Sequence, residues 1–311
     1  MGVIPCVHIT PEQDRMQENL WKRFRRAQLQ NQQLRGYTLL SPTLGFMILF
    51  LAAPILILFV LSFWTQTYID FNKTFSLANY EKFFSRPIYS LLLGKSILLS
   101  LCVTTATVVI AYPMAYFLAF RTQGNKLFWL VLVTVPFWTS YLLRVFAWKI
   151  ILGYNGVINS GLKSLGLIQE PLLFLLYNPG AVVITLAHAW GAFAILPIYV
   201  SLEKIDRSLL EAATDLGDSI FSRFFRITLP LSMPGVIAAT IFVFIPTVGD
   251  YVTPTLVGGT NGIMIGNIIQ SQFGKANNWP MGAALAIISM ISITAIVLLY
   301  LWCIKMLKKR L

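Results

Sequence analysis

The chain has 311 residues, of which 57% are hydrophobic and only 12% are charged, and its mean hydropathy is +0.71. Soluble domains carry about 25% charged residues, so this composition excludes a soluble globular protein and indicates a membrane protein. The formal net charge of +12 has to be interpreted by its position, because a basic patch favours nucleic-acid binding whereas charge confined to certain loops reflects membrane topology.

Six windows of the chain near 20 residues contain almost no charge, and an α-helix of about 20 residues crosses some 30 Å of hydrocarbon. We therefore predict an all-α membrane protein with six transmembrane helices. The predicted spans are 38–64, 95–120, 127–151, 180–201, 233–250 and 281–304. The outer connections, 65–94, 152–179 and 251–280, are long enough to carry short interfacial helices.

The distribution of Lys and Arg predicts that both termini are cytoplasmic. An even number of spans puts both termini on one side, and the segments on that side hold 16 of the 24 Lys and Arg residues, as the positive-inside rule requires. A basic cytoplasmic tail, 1–36, then precedes a six-helix transmembrane domain, 37–311. The polar tail predicts no cleaved signal peptide. It either lies on anionic lipid as an amphipathic helix or is disordered.

Polar side chains recur along one face of the third predicted span. Trp138, Tyr141, Arg144 and Trp148 follow one another at roughly helical spacing. A lipid-facing aromatic belt does not explain Arg144. Its guanidinium can extend to the interface, pair with Asp250 as a gate lock, or meet an anionic solute.

The longest predicted cytoplasmic loop, about 202–232, predicts two short helices. Ser208 followed by Glu211 is a capping box, and Gly217 suits the left-handed position after a helix. Asp218 can cap a second helix that runs to about residue 228, and Pro230 marks the start of the fifth span.

Small and apolar residues form a stripe on the first of these helices. Leu209, Ala212, Ala213 and Leu216 recur at helical spacing, while Glu211 points elsewhere. A soluble partner can pack against such a stripe. The alternative is an ordinary capped pair of cytoplasmic helices.

The loop resembles a family signature. The run Glu211-Ala212-Ala213, three residues, Gly217, nine residues, Ile227, one residue and Leu229-Pro230 is similar to the EAA loop of permeases in binding-protein-dependent ABC transporters. The resemblance implies that residues 208–228 form a coupling element that sits in a cleft of a separate ATPase subunit. The residues it assigns to ATPase coupling are Ser208, Glu211, Ala212, Ala213, Leu216, Gly217, Ile227, Leu229 and Pro230.

This resemblance extends over most of the chain and is closest to the spermidine/putrescine permease component I family, on the stretches 136–148, 156–159, 245–259 and 263–267. It implies the type I ABC importer permease fold in a bacterial inner membrane. The implied partners are a second homologous permease, an ABC ATPase dimer and an extracytoplasmic solute-binding protein, beside the lipid bilayer. ATP is expected to bind to the ATPase subunit, so we expect no cofactor and no enzymatic activity in this chain.

A pathway for a polyamine should offer a carboxylate, carbonyl oxygens and aromatic rings. The predicted substrate pathway comprises Trp138, Tyr141, Arg144, Asp250 and Tyr251. Asp250 is the only acidic residue in or beside a predicted span. It either attracts a cationic solute at the outer gate, or it caps the next short helix or pairs with Arg144 or Lys149.

Other classes of protein fit the sequence less well. His8 and His188 are isolated, so we expect no metal site and no catalytic residues. The stretch Gly94-Lys95-Ser96 looks like the end of a phosphate loop, but it opens an apolar span and lacks the earlier glycine. A secondary transporter should carry several intramembrane ionisable residues and often inverted repeats, which we do not find. The same permease role for another amine, an amino acid or a carboxylate remains an alternative.

Overall fold

The computed structural model describes residues 32–68, 70–122 and 124–308, and the chain divides into two units, up to Val60 and from Leu61 onward. The first unit consists of most of helix α1 (Gln32–Ser62). Its apolar window is 0% buried, as expected for a helix whose surface faces lipid or a partner. The first five residues of α1 belong to the predicted tail, and the remainder of that tail, 1–31, lies outside the described residues.

The second unit contains the remaining elements in chain order. These are β1 (Thr65–Thr67), β2 (Asp70–Asn72), α2 (Ala78–Ser85), α3 (Pro87–Phe120), α4 (Lys126–Thr134), α5 (Tyr141–Leu152), α6 (Val157–Ser164), α7 (Pro179–Ala189), α8 (Gly191–Glu203), α9 (Arg207–Asp215), α10 (Ile220–Arg223), α11 (Leu229–Val248), α12 (Ile265–Phe273) and α13 (Trp279–Lys308). Strands β1 and β2 form an antiparallel hairpin in which Gln66 is opposite Phe71. Helices α2, α6 and α12 lie in the three outer segments, where short helices were predicted.

The apolar helices confirm the predicted fold class. Among the described residues, five helical stretches are long and apolar enough to cross a membrane: Gly36–Ser62, Pro87–Phe120, Tyr141–Ser164, Ile220–Val248 and Trp279–Met306. Helices α7 and α8 together make a sixth candidate, with a bend of 49° between them. No proline lies at this bend, so sequence reasoning gave one straight span here.

The third predicted span, 127–151, is wrong as a continuous helix. Helix α4 tightens into a 3₁₀ turn, Val135–Trp138, and Thr139 and Ser140 are extended before α5 begins. Pro136 supplies no backbone N–H, so it cannot donate the hydrogen bond that an uninterrupted helix requires. Trp138 therefore does not share a helical face with Tyr141 and Arg144, contrary to the prediction, and its side chain is 76% exposed.

The core of the second unit forms where α3, α8 and α11 pack together. Val103 of α3, Ile198 of α8 and Ala239 of α11 are fully buried there. A Cβ atom at Gly235 would lie 2.3 Å from the Pro197 carbonyl oxygen, so only glycine permits the observed approach of α8 and α11. Small residues have this role in membranes because packing contacts drive helix association there.

A second core cluster joins the N-terminal half of α3 to α12 and α13. Ser96 lies inside α3, where its Oγ donates to the Leu92 carbonyl (2.7 Å) and accepts from the backbone N–H of Ile265 (2.7 Å). The Gly94-Lys95-Ser96 stretch is therefore helical and is not a phosphate loop, as expected.

Candidate functional site

The first candidate site is the segment 206–228, which we call the elbow. It begins with Asp206, whose carboxylate accepts a hydrogen bond from the Ser208 backbone N–H (3.0 Å) and caps α9. The capping box predicted for Ser208 and Glu211 is therefore wrong. Asp and Ser cap helices about equally well, and Asp206 is the residue with extended backbone. The hydrogen bond from Ser208 also lowers the pKa of Asp206, because it favours the ionised carboxylate.

Gly217 ends α9 as predicted, with a positive φ of 85°. Its N–H donates to the Thr214 carbonyl (2.9 Å), and the N–H of Asp218 donates to the Ala213 carbonyl (3.0 Å). These two bonds form a Schellman motif, in which a left-handed residue closes the helix and redirects the chain.

The second arm of the elbow differs from the prediction. Ser219, and not Asp218, caps α10 through a bond from the Ser222 N–H (3.2 Å). Asp218 instead accepts from the Ser222 hydroxyl (2.8 Å) and pairs with Arg226 (3.5 Å). This arm does not end at residue 228, since it passes through a π-helical turn, Phe224–Thr228, directly into α11. The result is one 29-residue helix, Ile220–Val248.

Arginine side chains join the elbow to itself and to α3. Arg223 donates to the Leu210 carbonyl (3.4 Å) and to the Thr214 hydroxyl, so it clamps the second arm against the first. Arg207 donates to the Ala119 carbonyl at the end of α3 (3.5 Å). Sequence reasoning missed Arg223, because its partners are defined only once the Gly217 turn is formed.

The predicted stripe on α9 is divided between two environments. Ala213 is buried at 6% exposure, whereas Ala212 is exposed and Leu216 is 88% exposed. Exposed apolar side chains continue from Leu216 onto the second arm at Ile220, Phe221 and Phe225. The exposed apolar surface of the elbow therefore crosses the Gly217 turn and does not follow α9 alone.

The remaining predicted coupling residues lie around this turn or at the base of α11. Ser208 is exposed on α9, and Glu211 lines a cavity of about 280 Å³ with Arg121, Arg207 and Arg223. Ile227 lies in the π-helical turn, and Leu229 and Pro230 are the first residues of α11.

The second candidate site is centred on Asp250, just beyond the end of α11. The Tyr141 hydroxyl donates to Asp250 Oδ2 (2.7 Å) and also bonds to the buried Thr253 hydroxyl (2.6 Å). Asp250 Oδ1 accepts from the Val252 N–H (3.0 Å), so the predicted capping role is present. Within the described residues, Asp250 makes no ion pair, so the alternative pairing with Arg144 or Lys149 is wrong.

Arg144 has a different set of partners. It donates to the Ala189 carbonyl (3.1 Å), and its guanidinium lies 5.2 Å from the centre of the Phe137 ring. Ala189 is the last residue of α7, where the 49° bend leaves carbonyl groups without helical donors. The interhelical packing expected for His188 is confirmed, since its ring contacts Phe137 and Trp148.

Comparisons with known proteins agree on one family. A profile described as "Binding-protein-dependent transport system inner membrane component" matches residues 127–311. The spermidine/putrescine transport system permease protein PotB of Escherichia coli K12 is 38% identical over 86% of this chain and 96% of its own length. PotB of Haemophilus influenzae is 34% identical over 86% of this chain and 93% of its own length.

The fold is also similar to that of solved transporters. A crystal structure of a bacterial ABC transporter involved in the import of the acidic polysaccharide alginate matches with a TM-score of 0.64 and 19% identity, over 90% of this chain and 96% of that one. The same transporter type in complex with an alginate pentasaccharide-bound periplasmic protein gives 0.65 and 18% identity, over 90% and 95%.

Proposed function

The chain belongs to the family of inner membrane components of binding-protein-dependent transport systems, and from this premise we propose that it is a permease subunit that conducts polyamines through the inner membrane. The family and the apolar helices make it a multi-pass inner membrane protein. The observation that carries the solute assignment is the 38% identity with PotB over nearly the whole of both chains.

The elbow is proposed as the docking element for a separate ABC ATPase. Its support is mechanical. The first arm is clamped to the second by Arg223, and the second arm is continuous with α11. A push on the exposed apolar surface around Leu216 is therefore transmitted to a transmembrane helix without a flexible joint. ATP binding and hydrolysis in the partner then supply the energy, and this chain needs no nucleotide of its own.

Two further partners complete the proposed complex. A second homologous permease forms the other half of the pathway, and an extracytoplasmic protein delivers the solute. The alginate transporter with its periplasmic protein has this general fold. In this arrangement the ATPase changes the angle between the helices of the two permeases and alternates access to the pathway.

Asp250 is proposed as the acidic contact of the solute in the membrane. Tyr141 donates a hydrogen bond to it, so an arriving ammonium group replaces a neutral donor with a charged one, which forms a stronger bond. Arg144 does not oppose this role. Its donation to Ala189 and its position on Phe137 give it a structural role at the bend of α7 and α8, which removes the main argument for an anionic solute.

Uptake by the reconstituted complex tests the proposal. Labelled spermidine and putrescine are compared with amino acids and small carboxylates, in proteoliposomes that contain the chain with its cognate permease, ATPase and binding protein. We expect ATP-dependent uptake of polyamines that unlabelled amino acids do not inhibit. Uptake of a carboxylate or an amino acid in place of polyamines would contradict the solute assignment, and uptake without ATP would contradict the coupling.

A further inference from the structure

A groove lies beside Asp250, outside the pathway residues already described. We call it the outer groove, and it has a volume of about 440 Å³, within the usual range for small-molecule sites. Its lining residues are Gly249, Tyr251, Gly266, Ile269, Gln270, Phe273 and Gly274. They come from the segment after α11 and from α12.

The walls of the outer groove are held in place by specific contacts. A Cβ atom at Gly266 would lie 2.6 Å from the Gly249 carbonyl oxygen, so α12 rests directly on the backbone at the end of α11. The Asn267 amide donates to the Tyr251 carbonyl (2.9 Å) and to the Thr255 hydroxyl (2.7 Å). The groove is therefore a built feature and does not result from loose packing.

The chemistry of the lining suits an ammonium group joined to methylene chains. Tyr251 is 45% exposed and Phe273 lines the same space, so both offer aromatic rings that attract cations. The Gln270 amide and backbone carbonyl groups supply oxygen acceptors, and Ile269 supplies an apolar wall. An anionic group would find no Lys, Arg or His side chain in the lining.

The position of the groove relative to Asp250 suggests an order of contacts. Gly249 and Tyr251 line the groove, but Asp250 between them does not. Its carboxylate lies against Tyr141 and Val252 instead, with both oxygens accepting hydrogen bonds. We propose that the outer groove is a subsite for one ammonium group of the solute, occupied before that group reaches Asp250. The inference rests on the proposed function.

Gly249 allows a test in which the groove is filled. Its φ is −86°, a value that any residue can adopt, and the nearest atom to an added Cβ is the Pro246 carbonyl oxygen at 4.0 Å. Gly249→Leu should therefore place a side chain in the groove with little backbone strain. Phe273→Leu is a second variant, which keeps apolar volume and removes the aromatic ring.

The experiment measures the initial rate of spermidine uptake against the concentration of loaded binding protein and against free spermidine, with the same reconstituted complex. We expect KM to rise at least about five-fold in Gly249→Leu and about three-fold in Phe273→Leu, consistent with the loss of one cation–ring contact. Co-purification of the ATPase subunit reports whether each variant assembles. Tyr154→Leu is the control, since Tyr154 is an equally exposed aromatic residue, at 55%, outside the groove.

The possible outcomes separate the subsite from the proposed function. Polyamine uptake with an unchanged KM in both assembled groove variants overturns the subsite alone. An equal rise in KM in Tyr154→Leu also overturns it, because the effect is then not specific to the groove. Absence of polyamine uptake by the unaltered complex overturns the proposed function and the subsite together.

Discussion

The turn at Gly217 gives the strongest prediction about energy coupling. Gly217 has a φ of 85°, and an added Cβ atom would meet nothing within 4 Å. A substitution therefore introduces no clash, and its cost comes from the left-handed backbone alone, about 1–2 kcal/mol for an ordinary L-residue. That cost reduces the population of the closed elbow by a factor of about 5–30 relative to alternatives.

The order of substitutions distinguishes this mechanism from general damage. Asn adopts the left-handed region more easily than Ala, and a β-branched residue is the worst. We therefore expect the number of solute molecules transported per ATP hydrolysed to decrease in the order Gly217, Gly217→Asn, Gly217→Ala, Gly217→Val. The assay measures uptake and phosphate release in the same proteoliposomes.

A matched glycine serves as the control. Gly161 lies in α6, where an added Cβ also meets nothing within 4 Å and φ is not positive. Gly161→Ala should leave the ratio of transport to ATP hydrolysis unchanged. Wild-type coupling in Gly217→Val, or equal coupling in the Asn and Val variants, would refute the reasoning.

Three other predictions concern the transmembrane region and the elbow. Asp250→Asn, which removes the charge but keeps an acceptor for Tyr141, should lower polyamine uptake more than Tyr141→Phe does, and equal rates in the two variants would remove Asp250 from the pathway. Gly235→Ala should lower the Tm of the purified subunit, because overpacking a helix contact costs about 1–3 kcal/mol; Gly94→Ala, where an added Cβ meets nothing within 4 Å, should not, and equal Tm values in both would contradict the packing argument. Arg223→Gln should lower transport per ATP hydrolysed without loss of ATPase from the purified complex, and an unchanged ratio would show that the clamp is dispensable.

Sequence reasoning identified the elbow correctly where one residue type was decisive. Gly217 was predicted in the left-handed position because few other residues adopt it at low cost. The caps were wrong because two suitable residues lie close together at each helix start. Asp206 and Ser208 can both cap α9, and Asp218 and Ser219 can both cap α10, so the choice depends on backbone angles that local sequence does not determine.

The membrane spans were predicted from apolar windows, which report hydrophobicity but not continuity. The break at Thr139 and Ser140 and the bend between α7 and α8 occur inside apolar runs, so neither changes the composition. The contact of Tyr141 with Asp250 joins residues 109 positions apart and needs the packed fold before it can be inferred. Asp250 itself was found from sequence because an isolated acid beside a span is rare.

The central claim is that the elbow grips a separate ATPase, and crosslinking from two adjacent alanines tests it most directly. Cysteine is introduced at exposed Ala212 or at buried Ala213, after Cys6, Cys102 and Cys303 have been replaced by Ser. A short bifunctional reagent is then applied to the assembled complex. The account predicts a crosslink to the ATPase subunit from position 212 and little or none from position 213. No crosslink from position 212 in a complex that hydrolyses ATP would contradict it.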